Sequence, residues 1–228
     1  QVKATLNLMK YASQHGKYEH YWLCSGQDYP IKPVNEIVKF LHSKPDMNFV
    51  QIWKSFNNGG KENNYDKRTA ICFPKCVLGS GLLHRIAKRG LVELTGGYHR
   101  TFGIFRRKAP DNTKFYFGSS WICFSGETEL WMEEYLKAHP EYIQFHRNVN
   151  CPDETFFQTL LMNSPYRKKR EDYLHYVDWS DGGNSPKTLT NDDYKKLIDS
   201  GKLMGRKFDI NISKDLTLRL QINNERSE

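Results

Sequence analysis

Glu19-His20-Tyr21-Trp22-Leu23-Cys24 is an aromatic-rich run that reads as a buried strand, and the residues around it decide the fold class. Ser25-Gly26-Gln27-Asp28-Tyr29-Pro30 supplies turn chemistry directly after it. Asn35 to His42 then repeats apolar residues at positions 37, 38, 40 and 41, the spacing of a helix, and Asn48 to Trp53 is a second strand. Strand, turn, helix and strand in this order are the alternation of an α/β sheet. Ligands of such sheets gather at loops beyond the carboxyl ends of strands, where Asp28 falls. A short helix from Val2 to Ser13, ended by Gly16, precedes the pattern. An α/β sheet that opens on a helix predicts a further strand upstream, so the domain is expected to be N-terminally incomplete.

Phe56 to Arg68 is a polar, Asn/Gly/Lys-rich stretch without periodicity, an expected exposed loop able to contact a substrate. Leu82 to Arg89 reads as a basic helix, and Tyr98 to Lys108 as a basic strand carrying Arg100, Arg106, Arg107 and Lys108. Phe115 to Phe117 and Trp121 to Phe124 bracket Gly118-Ser119-Ser120, with Trp121 in the middle of a strand. Ser125 is placed to cap a helix from Glu127 to Ala138, with Leu130, Trp131 and Tyr135 facing inward. Tyr173 to Trp179 reads as a strand running into Asp181-Gly182-Gly183-Asn184. Thr190 then caps a helix with Asp193 at its third position, and Gly201 ends it. No repeat, low-complexity tract or linker divides residues 1–228, which read as one catalytic domain.

Within 228 residues, 34 Lys+Arg against 26 Asp+Glu give a net charge of +8, which points to an anionic partner or substrate. Nucleic acid, a membrane surface and a nucleotide all qualify. Five cysteines (24, 72, 76, 123 and 151) show no disulfide framework and are expected to be reduced thiols. Cys72 and Cys76 have the spacing of half a metal site, but no second half follows. No apolar run of about 18 residues is present.

Cys151-Pro152-Asp153-Glu154-Thr155-Phe156-Phe157-Gln158-Thr159-Leu160 carries the chemistry. Proline suits the first position of a helix, and Phe156, Phe157, Leu160 and Leu161 follow at helical spacing. Asp153 and Glu154 therefore fall in a first turn, where unpaired N–H groups favour an ionised carboxylate. Such a carboxylate is either a dipole partner or a general base. There is no G-x-G-x-x-G, no P-loop, no H-E-x-x-H and no Asp-x-Asp. A bound diphosphate would then be neutralised by fixed cations rather than a metal, and Lys187 and Arg206-Lys207 are candidates, each otherwise a surface charge. Trp179, beside Asp178 and ahead of a Gly-rich turn, suits either stacking on a sugar or the core. Tyr98, Phe102 and Phe105, interleaved with the basic residues of that segment, leave a basic nucleic-acid-binding module as the competing reading, although no nucleic-acid-binding signature is present. No His pairs with a Ser or Cys as a nucleophile would, and His175 reads as a strand residue.

In this order the motifs resemble the core-2/I-branching N-acetylglucosaminyltransferase and peptide xylosyltransferase family, glycosyltransferase family 14. The resemblance runs through Leu23-Cys24-Ser25-Gly26-Gln27-Asp28-Tyr29-Pro30-Ile31, Gly118-Ser119-Ser120-Trp121 and Pro152-Asp153-Glu154-Thr155-Phe156-Phe157-Gln158-Thr159. Tyr176-Val177-Asp178-Trp179, Ser185-Pro186-Lys187 and Arg206-Lys207-Phe208-Asp209 complete it. It implies a GT-A type α/β fold, a Rossmann-like mixed sheet flanked by helices and lacking its first N-terminal strand here.

The resemblance also implies inverting, metal-independent transfer of a sugar, GlcNAc or xylose, from a UDP-sugar to a glycan or lipid-linked acceptor. Glu154 would be the general base; Lys187, Arg206 and Lys207 would hold the donor diphosphate. Asp28, Asp178 and Trp179 would shape the sugar and acceptor site. Neither a cofactor nor a divalent metal is expected, nor a nucleic-acid partner. The Asn/Gly-rich loop allows no acceptor contact to be transferred. The missing counterparts of the animal enzymes' disulfides and anchor point to a bacterial-type member, cytoplasmic or peripheral to the inner face of the membrane.

Overall fold

The computed structural model describes all residues except 57–65, 75, 76, 78, 80, 108, 111, 112, 184 and 226–228. The expected loop contacts, Cys76, Lys108 and Asn184 thus lie wholly or largely outside the described residues. The fold is mixed α/β, consistent with a GT-A type glycosyltransferase, and divides into two compact units. One comprises Gln1–Gly16, Gln51–Ser120 and Thr128–Lys169; the other comprises Lys17–Val50, Trp121–Glu127 and Arg170–Glu228.

In the second unit, β1 (His20–Trp22) runs antiparallel to the end of β4 (Phe115–Ser125), with His20 opposite Ser125. The start of β3 (Asn48–Phe56) runs parallel to β5 (Arg170–Glu171). These four strands form a sheet in the order β1-β4-β3-β5. The buried Asn48 side chain accepts the Ser125 N–H at 3.0 Å, satisfying a backbone donor that would otherwise be costly to bury. The helix Val34–His42 follows Pro33, whose fixed φ suits a helix entry, and puts Ile37, Phe40 and Leu41 against Phe49, Cys123, Leu174 and Leu203.

The same unit holds a three-stranded sheet. Here β2 (Asp28–Pro30) is antiparallel and β6 (His175–Val177) parallel to the central β7 (Met204–Arg206). Ile31, Leu189, Leu197, Phe208, Leu216 and Leu220 form its core, with Tyr29 and Tyr176 packed on them. Gly205 is required there, because a Cβ would meet Leu197 and Phe208 at 2.9 Å. Thr190 and Asp193 form the expected capping box ahead of helix Tyr194–Asp199.

Beyond Asp209, Leu216, Leu218, Leu220 and Ile222 alternate as in a strand, yet the segment is the helix Lys214–Glu225. Burial decides it: Leu216 and Leu220, one helical turn apart, are buried while Leu218 and Ile222 face solvent.

In the first unit, helix Val2–His15 runs two residues past the sequence reading and helix Leu82–Thr95 six residues past it, ending at Gly96 in the left-handed conformation. Three expectations are corrected. The basic segment from residue 98 is helix Tyr98–Phe102 and a 3₁₀ turn Gly103–Phe105, because burying Phe102 against Phe73, Ile71 and Val92 needs a helical turn rather than an extended chain. Phe115 to Ser125 is a single strand, unbroken at Gly118. In helix Gly126–Ala138, Leu130 points to solvent, while Thr128, Glu129, Met132 and Leu136 are buried and Trp131 stacks on Tyr135 at the margin.

Two buried titratable groups of this unit border one cavity of about 570 Å³. Burial, reinforced by Glu133, pushes Glu129 up to about 7. Burial also pulls His146 down to about 4, although its ring bonds the Tyr142 carbonyl at 3.0 Å. The signs oppose. Glu129, raised in the folded state, loses stability as pH rises from its unfolded value through 7. His146, lowered, loses stability as pH falls from its ordinary 6.5 through 4. Glu129→Gln removes the first contribution. Urea denaturation of this variant is therefore expected to show stability rising with pH between those limits, by about 1.4 kcal/mol per unit, where the native chain is nearly flat. The variant is also expected to be the more stable protein at alkaline pH.

Candidate active site

Cys151 adopts the left-handed conformation (φ 49°, ψ 58°), which costs a non-glycine residue about 1–2 kcal/mol. It turns the chain into the 3₁₀ turn Pro152–Glu154, with Pro152 leading as expected. The helix Phe156–Met162 starts only after Thr155, so the two acids lie in a separate turn ahead of the helix rather than in its first turn. Gln158 accounts for the break. Its side-chain amide donates to the Asp153 carbonyl, an acceptor that a continuous α-helix would use, and to the Ser119 carbonyl. Thr159 accepts the Tyr116 N–H at 3.0 Å, so the helix is fastened side-on to the strand.

The two acids have different surroundings. Asp153 is buried and accepts the Ser120 hydroxyl at 2.5 Å. Glu154 keeps a quarter of its side chain exposed and pairs with Arg68, a residue of the turn Asp66–Ala70. The Arg68 guanidinium lies 4.3 Å over the Phe117 ring, and Trp53 meets Phe117 edge-on at 4.8 Å. Burial lowers the pKa of Arg68, and the nearby Cys151 and Asp153 oppose it. Half-exposed Trp53 presents an indole to solvent beside this pair. Neither Arg68 nor Trp53 is singled out in the sequence: Arg68 ends an unpatterned loop and Trp53 lies within an ordinary strand.

The remaining expected residues gather in the second unit, at one end of the three-stranded sheet. Asp28 stands opposite Arg206, and Val177 is the parallel neighbour of Arg206, so Asp178 and Lys207 leave the sheet side by side. The Leu189 N–H bonds the Lys207 carbonyl at 2.9 Å and the Lys187 N–H bonds the Asp178 carbonyl at 2.8 Å, which brings the Lys187 strand end to the same place. Lys187 pairs with buried Asp193 at 2.7 Å, and that hydrogen bond raises its pKa. Among the described residues, Lys207 has no ion-pair partner. Trp179 is half exposed.

Arg206 is committed inside the protein. It pairs with Asp28 at 2.7 Å, reaches the Ser25 hydroxyl, and lies 4.0 Å over Trp121. Asp28 also accepts the Ser25 N–H at 2.7 Å and approaches His175 Nε2 at 3.4 Å. Burial would push the Asp28 carboxyl up, but His175, Arg206 and the Ser25 N–H together hold it below its ordinary value. His175 is thus a strand residue, as read, and also a buried neighbour of Asp28 that the sequence did not flag.

Cys24, Asp28 and His175 place three ligand atoms within 4.8 Å of one another. Arg206 balances Asp28 there, and desolvation with Asp28 beside it pushes the Cys24 thiol up to about 11.

Residues 1–199 match the Core-2/I-Branching enzyme family. Xylosyltransferase oxt of Drosophila pseudoobscura pseudoobscura is 26% identical over 223 residues, which cover 86% of this chain and 22% of that protein. Beta-glucuronosyltransferase GlcAT14C of Arabidopsis thaliana is 23% identical over 195 residues, covering 81% of the chain and 44% of that protein. Xylosyltransferase 2 of Rattus norvegicus is 24% identical over 218 residues, covering 84% and 22%. The chain therefore spans between about a fifth and under half the length of these relatives.

Asp28→Asn removes the carboxylate charge that, among the described residues, pairs with Arg206 and His175, while keeping the size of the side chain. Leaving a largely buried guanidinium uncompensated is expected to destabilise the fold by about 3 kcal/mol, read as a lower urea midpoint at neutral pH. An unchanged midpoint would show that the pair is dispensable.

Proposed function

The chain belongs to the Core-2/I-Branching enzyme family, a family of glycosyltransferases, and from this we propose that it carries out inverting, metal-independent transfer of a sugar from a UDP-sugar to a hydroxyl of a glycan or glycoconjugate. The observation that carries the reading is the Glu154 carboxylate, held by Arg68 at the edge of a turn that Gln158 and Cys151 fix in place. A general base has to be positioned, and this carboxylate is paired with Arg68 on a turn whose backbone Gln158 holds at Asp153.

Glu154 takes the proton of an acceptor hydroxyl as its oxygen bonds to the anomeric carbon. The bond from that carbon to the diphosphate breaks on the opposite face, UDP departs with the electron pair, and the configuration inverts. Lys187 and Lys207 neutralise the charge that develops on the leaving diphosphate. Arg206, fixed on Asp28, positions the loop Ser25–Asp28 rather than reaching out to the phosphates. Trp179 and Trp53 offer exposed aromatic faces on which sugars stack. Xylose is favoured as the transferred sugar by the two relatives named as xylosyltransferases, with glucuronate and GlcNAc as the other donors to try. A thermal-shift screen of these three UDP-sugars tests the donor, because a ligand that binds only the folded state raises its stability.

Glu154→Gln keeps the size of the side chain and a hydrogen-bonding oxygen but cannot take the proton. Turnover is expected to fall on the order of 10²–10⁴-fold while the melting temperature and UDP binding stay near those of the native chain. Exposed Glu134→Gln is the control; Asp153→Asn does not serve, since Asp153 is buried on Ser120. Near-normal turnover of Glu154→Gln would remove it from the mechanism.

Transfer is further expected to survive EDTA unchanged, because fixed cations take the place of a metal. Activity lost on chelation and restored by manganese would overturn that part of the reading.

A further inference from the structure

Arg85, Lys88, Arg89 and Val92 follow one another at steps of three and four residues, so they share one face of helix Leu82–Thr95. Val92 is buried, and all four line a cavity of about 610 Å³. Lys67, from the turn Asp66–Ala70, and Asn150, one residue ahead of Cys151, line it too. The Asn150 N–H bonds the Lys67 carbonyl at 2.8 Å, which ties these two segments together. Three stretches of the first unit, far apart in sequence, thus bring Lys67, Arg85, Lys88 and Arg89 to one concave surface.

Their charge is not balanced from within. The one acid in the lining, Glu93, is paired with Arg89 at 2.9 Å. Among the described residues, Lys67, Arg85 and Lys88 have no carboxylate partner. Lys67 and Lys88 are half-buried, and Lys88 lies 4.3 Å over the Phe73 ring. Burial lowers the pKa of both lysines, and a neighbouring cation lowers each further, Arg68 for Lys67 and Lys67 for Lys88. Lysines drawn out of water are ordinarily paired, and these instead repel. An anion entering the cavity supplies the missing countercharge. A carboxylate brings one charge to three unpaired cations, whereas a phosphate brings nearly two, on oxygens that accept donors from several walls at once. The cavity is also larger than a bare phosphate needs, and is of the size that holds a small organic ligand.

We propose that this cavity is a phosphate site, in which Lys67, Arg85 and Lys88 take the oxygens of a phosphate group, free or esterified to a sugar, and Asn150 offers a neutral amide beside them. Arg89, held by Glu93, borders the site without being needed for the charge balance. The site draws on none of the residues assigned to transfer and stands whether or not that assignment holds.

Isothermal titration calorimetry with inorganic phosphate and with glucose 6-phosphate, at matched ionic strength, tests it. Binding is expected for at least one of the two, weakening as salt is raised. Lys67→Gln/Lys88→Gln removes two charge-assisted contacts and is expected to weaken binding by at least about tenfold. Arg85→Glu, at an exposed position, is expected to abolish it. Phosphate is expected to raise the melting temperature of the native chain and not that of the double variant. Lys207→Ala separates this cavity from the proposed donor site, and phosphate binding is expected to persist in it. Glucose 6-phosphate bound at least about tenfold more tightly than inorganic phosphate identifies an ester as the occupant, while equal or weaker binding identifies the free ion; both uphold the site. Four results would each overturn the proposal: no binding of either compound at low salt; binding indifferent to both the lysine and the Arg85 substitutions; binding lost in Lys207→Ala; or glucuronate bound more tightly than either phosphate compound.

Discussion

Gly118 sits where no side chain fits: a Cβ would come within 1.9 Å of the Gln51 carbonyl oxygen and 3.2 Å of the Gln158 side chain. That close approach lets Gln158 reach the Ser119 carbonyl and lets Thr159 bond the Tyr116 backbone, so a helix whose residues from Phe156 to Leu161 are all buried is locked to a strand by polar contacts as well as by packing. Buried polar groups are costly unless paired, and the Gln158 amide N–H group and the Thr159 hydroxyl are paired in this alignment of helix and strand. The turn Pro152–Glu154 hangs from this joint. Its Asp153 carbonyl is taken by Gln158 and its carboxylate by Ser120, which leaves Glu154 as the acid of the turn directed to the surface and to Arg68.

A second hub plays the same part in the other unit. Asp28 closes the loop after β1 by accepting the Ser25 N–H, and it recruits Arg206 from the end of β7 and His175 from β6. One carboxylate thereby ties together three segments far apart in sequence. The Arg206 guanidinium on the Trp121 ring adds a fourth, since an arginine stacks on an aromatic face while its edge stays hydrogen-bonded.

The parts readable from the sequence are those with a local cause. The strand–turn–helix–strand order, the capping box at Thr190 and the helix after Pro152 follow from spacing and turn residues within a few positions of one another. Gly118, Gln158 and Thr159 lie in motifs because close backbone approach and buried hydrogen bonds restrict residue type. Arg68 is different: its partner Glu154 is 86 positions away and any surface arginine looks the same. The alternation of Leu216 to Ile222 suggests a strand, and only the core formed with Ile31 and Phe208 turns it into a helix. Leu130 went the wrong way for a related reason, since tertiary contact with Met132 and Leu136 on the adjacent face decides which side of that helix is buried. Leu82 to Arg89 reads as a basic helix, and only burial shows that Leu83, Ile86, Leu91 and Leu94 of the helix face solvent.

The cations at the end of the three-stranded sheet are not equivalent, and the difference bears on the proposal that they hold a diphosphate. Arg206 is gripped by Asp28, Ser25 and Trp121, and moving it would strand a carboxylate whose side chain is 1% exposed. Lys187 also pairs with a buried acid, but Asp193 divides its oxygens: one accepts Lys187, the other accepts the Thr190 N–H of the helix cap. Should Lys187 turn to a phosphate, Asp193 keeps its cap and the adjacent helix stays in place. Releasing either cation leaves a buried carboxylate without its countercharge, but Arg206 would also give up the Ser25 hydroxyl and the Trp121 ring. Lys207, with no ion-pair partner among the described residues, has none to lose. In the proposed transfer, then, Arg206 would shape the loop, while Lys207, and Lys187 on leaving Asp193, would meet the charge on the leaving group.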